Sequence, residues 1–176
     1  LMTVKNELNK TGGQYENTAY QIDFGLAYVT ETVVNNVPKL DPQKDVVIDL
    51  SHKDDSLDGK EVALHQTFNY RLVGAMIPIN RATDLFEYDF EDNYDEKHDE
   101  YNGVYRSYLM TDVTFKDGSI LKEGTEVTKY TLQQVDTVKG SVSISFDQSF
   151  LETISDESLF QVDVYLQMKL IAAGQV

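Results

Sequence analysis

An all-β chain, folded as an antiparallel sandwich, is what this sequence predicts, and three observations predict it. Short apolar stretches recur with the period of two that places alternate side chains on opposite faces of a strand. Turn signals separate them: Gly12-Gly13, the Asn35-Asn36 pair opening the linker, and Asp117-Gly118. Convincing helical periodicity is confined to one short stretch near residues 147–154, and 11 Tyr and 8 Phe among 176 residues give the composition a strand-forming bias. Many short strands with turns between them and almost no helix read as two packed antiparallel sheets with one or two short helices.

The elements follow in order. Residues 1–10 begin with a short strand-like piece and run into the Gly12-Gly13 turn. Tyr20, Ile22 and Phe24 alternate with polar neighbours, and residues 26–34 continue as a second strand. Pro38 and Pro42 restrict themselves and the residues before them, so residues 35–42 read as a linker with a new domain after it. Residues 44–50 form a compact strand, and a charged, turn-rich loop covers residues 52–59. Residues 61–73 alternate through Val62, Leu64, Phe68, Tyr70 and Leu72, and residues 76–80 are a crossing segment.

The acidic, tyrosine-bearing run at residues 84–103 is the centre of the chain. Phe86, Tyr88 and Phe90 fall on one strand face and Glu87, Asp89 and Glu91 on the other, with Leu85 out of phase. From residue 92 to 102 the oxygen donors Asp92, Asn93, Asp95, Asp99, Glu100 and Asn102 crowd into a predicted loop that closes on Gly103. Such density is costly in self-repulsion unless something offsets it. Strands at 104–110 and 113–115 lead into a hairpin signal at residues 116–119, and further strands are expected at 126–132 and 138–146. Asp147 or Ser149 can cap a short helix over residues 150–154. Residues 159–172 close as a long strand with Phe160, Val162, Val164, Leu166 and Met168 on one face.

Composition excludes several function classes. A formal net charge of −15 leaves no basic footprint for nucleic acid or for anionic membrane surfaces, and favours cationic partners or divalent metal. With no cysteine, neither disulfides nor thiol–metal chemistry is open to it. No apolar run reaches the length of a membrane span, so membrane insertion is not expected. His52, His65 and His98 lack metal-ligand spacing and read as surface residues. The acidic loop suits a hard cation, and Asp89, Asp92, Asp95 and Asp99 are its candidate calcium ligands, although the EF-hand pattern is absent. A paired-carboxylate glycosidase is the enzymatic rival, but no pair stands out and no tryptophan offers a sugar platform.

One internal echo suggests repetition. Met2-Thr3-Val4-Lys5 precedes Gly13-Gln14-Tyr15-Glu16-Asn17-Thr18, and Leu166-Gln167-Met168-Lys169 precedes Gly174-Gln175-Val176. On this reading residues 1–37 are the terminal strands of a preceding domain of the same type, and residues 38–176 are a second domain lacking its last strand.

Four stretches carry a resemblance to a known family. They are Tyr15-Glu16-Asn17-Thr18-Ala19-Tyr20, the segment at residues 34–49, the Asp92-Asn93-Tyr94-Asp95-Glu96-Lys97-His98-Asp99 loop, and the string at residues 164–174. Together they resemble the C-terminal stalk domains of the antigen I/II family, cell-wall-anchored streptococcal adhesins. The resemblance implies tandem immunoglobulin-like sandwiches of the DE-variant type. It also implies an extracellular, non-enzymatic role in adhesion to host glycoprotein or microbial surface receptors, beside adjacent domains of the same adhesin.

The same resemblance implies a self-formed isopeptide bond in each domain, between a first-strand lysine and a last-strand asparagine, with an aspartate assisting. Lys44 matches the lysine, Asp92 the assisting aspartate with Asp89 and Asp95 as its rivals, and Asn17 the asparagine of the preceding domain; the asparagine serving Lys44 is expected beyond Val176, or Asn17 is expected to take its place by swapping. Attack on an amide requires a neutral amine, and the assisting carboxyl must hold a proton to polarise the carbonyl. The alternative reading is a calcium-dependent carbohydrate-binding sandwich with the acidic loop as its ligand site.

Overall fold

The computed structural model describes residues 13–17, 20–23, 26–29, 33–37, 43–51, 56–57 and 60–173. The expected strand within residues 1–10, the prolines of the linker, His52 and the final Gly174-Gln175-Val176 lie outside the described residues. The chain divides into two compact units, Leu1–Asp41 and Pro42–Val176. In the first, β1 (Gly13–Asn17) pairs antiparallel with β4 (Val33–Val37), and β2 (Tyr20–Asp23) pairs with β3 (Leu26–Val29).

The second unit is an antiparallel sandwich of the immunoglobulin-like kind. Its strands are β5 (Gln43–Val47), β6 (Thr67–Val73), β7 (Asp89–Asn93), β8 (Asp99–Leu109), β9 (Val113–Thr114), β10 (Ile120–Leu121), β11 (Thr131–Asp136), β12 (Ser141–Phe146) and β13 (Val162–Leu170). One sheet has the order β5-β6-β13-β8 and the facing sheet the order β11-β12-β7, while β9 and β10 form a separate hairpin. In both sheets every pairing is antiparallel.

Apolar alternation builds the space between the sheets. Phe68, Tyr70 and Leu72 of β6, Val164, Leu166 and Met168 of β13, and Phe90, Val142 and Ile144 of β7 and β12 all turn inward and are buried. Tyr88 sits among Phe90, Phe146 and Phe160 with ring centroids 4.9–5.9 Å away in edge-to-face geometry. Its hydroxyl donates to the Ala75 carbonyl at 2.8 Å. Gly74 leaves the room for that hydroxyl, because a Cβ there would collide with it and with the Val162 carbonyl.

β13 is buried on both faces, which simple alternation did not predict. Besides its inward residues, Asp163 and Tyr165 on the opposite face are fully buried. Residues 48–51 lie over that outer face: Asn69 Nδ2 donates to the Ile48 carbonyl at 2.6 Å and the Tyr108 hydroxyl to the Leu50 carbonyl at 2.9 Å. Val47, an outward position on β5, is buried as well.

Several element boundaries differ from expectation for definite reasons. Residues 61–66 are irregular and only Thr67–Val73 forms a strand; His65 adopts a positive φ of 67°, which no strand accommodates, and its N–H donates to the Leu170 carbonyl. Phe86 does not join Tyr88 and Phe90 but is 60% exposed, while the out-of-phase Leu85 is the buried residue, because β7 begins only at Asp89. The 116–119 hairpin forms as expected, with Gly118 at φ 84° and the Phe115 N–H donating to Ser119. The first helix, α1 (Gln148–Leu151), starts two residues before the expected stretch and has no side-chain cap bond from Asp147. A 3-10 turn, Thr128–Tyr130, replaces the beginning of the strand expected at 126–132.

Candidate functional site

The presumed acidic loop is not a loop throughout. Asp92 and Asn93 are the last residues of β7, residues 94–98 turn, and β8 starts at Asp99 and runs through Gly103. Gly103 has φ 81° and lies where the β8–β13 register slips, so that Asn102, Gly103 and Val104 all stand opposite Gln167. The glycine absorbs a bulge within a strand rather than closing a loop.

Strand alternation disperses the four candidate calcium ligands. Asp89 and Asp92 are three residues apart on β7 and therefore point to opposite faces, Asp89 into solvent and Asp92 into the interior. Asp95 is exposed, accepts from His98 Nδ1 at 2.7 Å and from the Lys97 N–H, and these contacts hold its carboxyl below the usual range. Asp99 is buried on β8. These four side chains do not converge on one point, and among the described residues no group of three or more His, Asp or Glu side chains is arranged to hold a metal ion.

What the structure does bring together is Lys44 and Asp92. Lys44 lies on β5 and faces inward with Val46; Asp92 lies on β7, on the inward face with Phe90. They belong to different sheets and are separated by 48 residues, yet Lys44 Nζ donates to Asp92 Oδ1 at 2.8 Å and to Oδ2 at 3.0 Å. The aspartate side chain is 7% exposed and the lysine side chain 36%. β5 and β7 are each the last strand at one edge of their sheets, and each has a single partner strand among the described residues. The contact therefore sits at the mouth of the sandwich, closed on its aspartate side and open on its lysine side.

Two further residues complete the centre, and neither role was legible in the sequence. Tyr70 of β6 lies beneath the amine, with Lys44 Nζ 3.5 Å from the ring centroid. The Tyr70 hydroxyl donates to Asp99 Oδ2 at 2.7 Å, and Asp99 Oδ1 has no hydrogen-bond partner. Burial pushes the Asp99 carboxyl above its ordinary value, against the pull of the Tyr70 hydroxyl and the Lys44 charge. Burial also pushes the Tyr70 hydroxyl well up, helped by Asp99 and by the nearby charges of Asp92 and Asp95. In the sequence Tyr70 is one more apolar alternation residue and Asp99 one more acid in a run; the available signal was that Asp99 shares strand parity with the core residue Tyr101.

Asn17, the expected asparagine of a preceding domain, is the last residue of β1 and pairs with Val33. Of the expected site residues, Lys44 and Asp92 are in contact, whereas Asp89, Asp95 and Asp99 are turned to separate tasks.

This geometry coincides with two family matches. Residues 41–176 match the cell surface antigen C-terminus family, and residues 1–37 match the cell surface antigen I/II C2 terminal domain. The chain belongs to the antigen I/II family. Among its solved relatives, the C-terminal domain of the Streptococcus agalactiae antigen I/II polypeptide BspA is 33% identical with a TM-score of 0.82, over 97% of this chain and 53% of that one. The C-terminal domain of AspA, an antigen I/II-family protein of Streptococcus pyogenes, is 34% identical with a TM-score of 0.81, over 94% of this chain and 49% of that one. The Enterococcus faecalis protein named Aggregation substance is 31% identical over 179 residues, covering 99% of this chain. The chain spans about half the length of those two solved antigen I/II domains and 14% of Aggregation substance. Antigen I/II relatives are cell-surface antigens, and no helix among the described residues is long and apolar enough to cross a membrane.

Proposed function

We propose that this chain is a stalk module of a cell-wall-anchored surface adhesin, stabilised by an autocatalytic bond between Lys44 and an asparagine carried by a strand that completes the open edge. The observation that carries this reading is the Lys44–Asp92 contact, which joins two sheets at the mouth of the sandwich. An ordinary exposed pair contributes little to stability, typically below about 1 kcal/mol. A pair with its carboxylate inside, its amine partly open and, among the described residues, a strand edge without a second partner beside it is suited to receive a third group.

The chemistry balances within those three groups. The Lys44 ammonium passes a proton to the Asp92 carboxylate at 2.8 Å, leaving a neutral amine and a carboxylic acid. The amine attacks the asparagine Cγ while the acid donates to the amide oxygen and stabilises the charge that develops there. A carbon–nitrogen bond forms to Nζ, the bond to the original amide nitrogen breaks, Nζ gives up its second proton to make the leaving nitrogen ammonia, and the first, held by Asp92, leaves with it as ammonium and restores the carboxylate. Folding supplies the proximity, so no cofactor is required for a single turnover.

The bond's mechanical consequence follows from topology. Lys44 is on the first strand of the sandwich, so a covalent link from it to a last strand closes nearly the whole unit into one loop. By the chain-entropy account of crosslinks this contributes about 5 kcal/mol, and resistance to forced unfolding and proteolysis rises with the unfolding barrier. Such a module carries an adhesive surface away from the cell wall, in contact with host or microbial surfaces, under shear.

Intact mass of the longer chain that includes the completing strand is the test. The native protein is expected to lack the mass of one ammonia, and Lys44→Arg and Asp92→Ala are expected to restore it. A folded native chain that keeps its full mass overturns the reading.

A further inference from the structure

Asp99 stands out among the buried polar residues of the inner space. Its side chain is 3% exposed and its Oδ2 accepts from Tyr70, but Oδ1 faces protein with no donor. A buried carboxylate oxygen without a donor is costly, so a chain that keeps one beside a reactive amine has a use for it. The same tyrosine links the two groups: Lys44 Nζ stands over the ring and Asp99 holds the ring's hydroxyl.

We infer that Asp99 orients the incoming asparagine, its free Oδ1 accepting an N–H of the side-chain amide while Asp92 takes the amide oxygen; this rests on the crosslinking reading above. An amide is nearly symmetric in shape, and a pocket that recognises only its oxygen lets it enter turned by half a rotation. A donor at one end and an acceptor at the other removes that ambiguity. Asp92, holding the lysine's proton, is the donor; Asp99, whose Oδ2 already accepts from Tyr70, is the acceptor. The reach is compatible: an attacking nitrogen about 3 Å from the amide carbon, followed by an N–H···O bond of about 2.9 Å, spans roughly the ring that separates Lys44 from Asp99. With the proton moved to Asp92 and the lysine neutral, the centre's remaining negative charge is on Asp99, which strengthens its demand for a donor.

Asp99 is thus a group that touches the reacting amide, and isosteric replacement separates that contact from packing. In Asp99→Asn the Tyr70 hydroxyl claims the new side chain's oxygen and turns its NH2 toward the incoming amide, donor against donor. The rate of ammonia loss after refolding of the longer chain, followed by intact mass, is expected to fall by about 10- to 100-fold, the worth of one hydrogen bond to a charged group. In Asp99→Asn/Tyr70→Phe the new amide is free to rotate and present its oxygen, so the rate is expected to recover by about tenfold relative to the single variant. A merely structural role for Asp99 predicts the opposite, a double variant slower than the single. A native rate in Asp99→Asn, or no recovery in the double variant, overturns the proposal. If Asp99→Asn does not refold, Tyr70→Phe alone reads the same contact: it leaves Asp99 free to turn, and a native rate there is the overturning result. Absence of ammonia loss from the native chain is a different outcome, and removes the crosslinking reading itself.

Discussion

Two cation–carboxylate pairs occupy opposite faces of the same four-stranded sheet, and they are built differently. On the outer face Arg71 Nε and Nη2 donate to Asp163 Oδ2 at 2.8 and 2.6 Å. The two residues sit on the neighbouring strands β6 and β13, and residues 48–51 pack over that face. Asp163 is fully buried and, like Asp99, leaves Oδ1 without a partner, but two N–H bonds from a full positive charge hold its other oxygen. On the inner face Lys44 and Asp92 come from different sheets and meet where β5 and β7 are the edge strands among the described residues. The outer pair is finished within the strands that carry it; the inner pair has a side left over. An arginine is always charged and cannot attack a carbonyl, whereas a lysine that yields its proton becomes a nucleophile. The choice of cation matches the difference in closure.

That contrast is open to direct breakage, beginning with the outer pair. Asp163→Ala leaves Arg71 without its carboxylate in a largely covered position and is expected to cost about 3–5 kcal/mol in urea unfolding of this chain. A cost below that of removing Lys44 would mean that the outer pair is not the structural one.

A smaller effect is expected at the inner pair. Lys44→Arg keeps the charge and can keep the Asp92 contact, so in this chain alone its stability change is expected to stay within about 1 kcal/mol, because the lysine side chain is 36% exposed. In the longer chain the same substitution is expected to remove the crosslink and the roughly 5 kcal/mol associated with it. Equal effects in both chains would erase the distinction between a paired and a reactive lysine.

The smallest effect is a pH dependence. Burial raises the folded Asp99 carboxyl above its unfolded value of about 3.9, so folding binds its proton more tightly. Its contribution to stability is complete below the unfolded value and is lost as pH rises through the raised folded value. Asp99→Asn has no such titration. The difference in melting temperature, native minus variant, is therefore expected to become more positive as pH is lowered from 7 toward 4. A flat difference contradicts the burial of the Asp99 charge.

Core alternation was readable in advance because period two is a local property. Phe68, Tyr70 and Leu72, or Val164, Leu166 and Met168, face inward whatever the partner strand. Phe86 misled for the same reason: its spacing fits a strand, but β7 starts at Asp89, and only the sheet decides where pairing begins. The acidic run misled more instructively. As a sequence it is one dense cluster of oxygen donors; as a structure it is a strand end, a turn and a strand start. Alternation then sends Asp89 outward, Asp92 to the lysine and Asp99 to the tyrosine.

By itself the sequence determined an all-β sandwich, a chain without thiols or a basic footprint, and through its resemblance the pairing of Lys44 with Asp92. Those follow from side-chain periodicity and charge, which are written residue by residue along the chain. Only the tertiary structure decided that Tyr70 lies under the amine, that Asp99 holds its hydroxyl, and that Arg71 and Asp163 are sealed behind them on the outer face. Each of those contacts joins residues on different strands. Which side chains meet across a sandwich depends on strand order and register, and no local pattern encodes either.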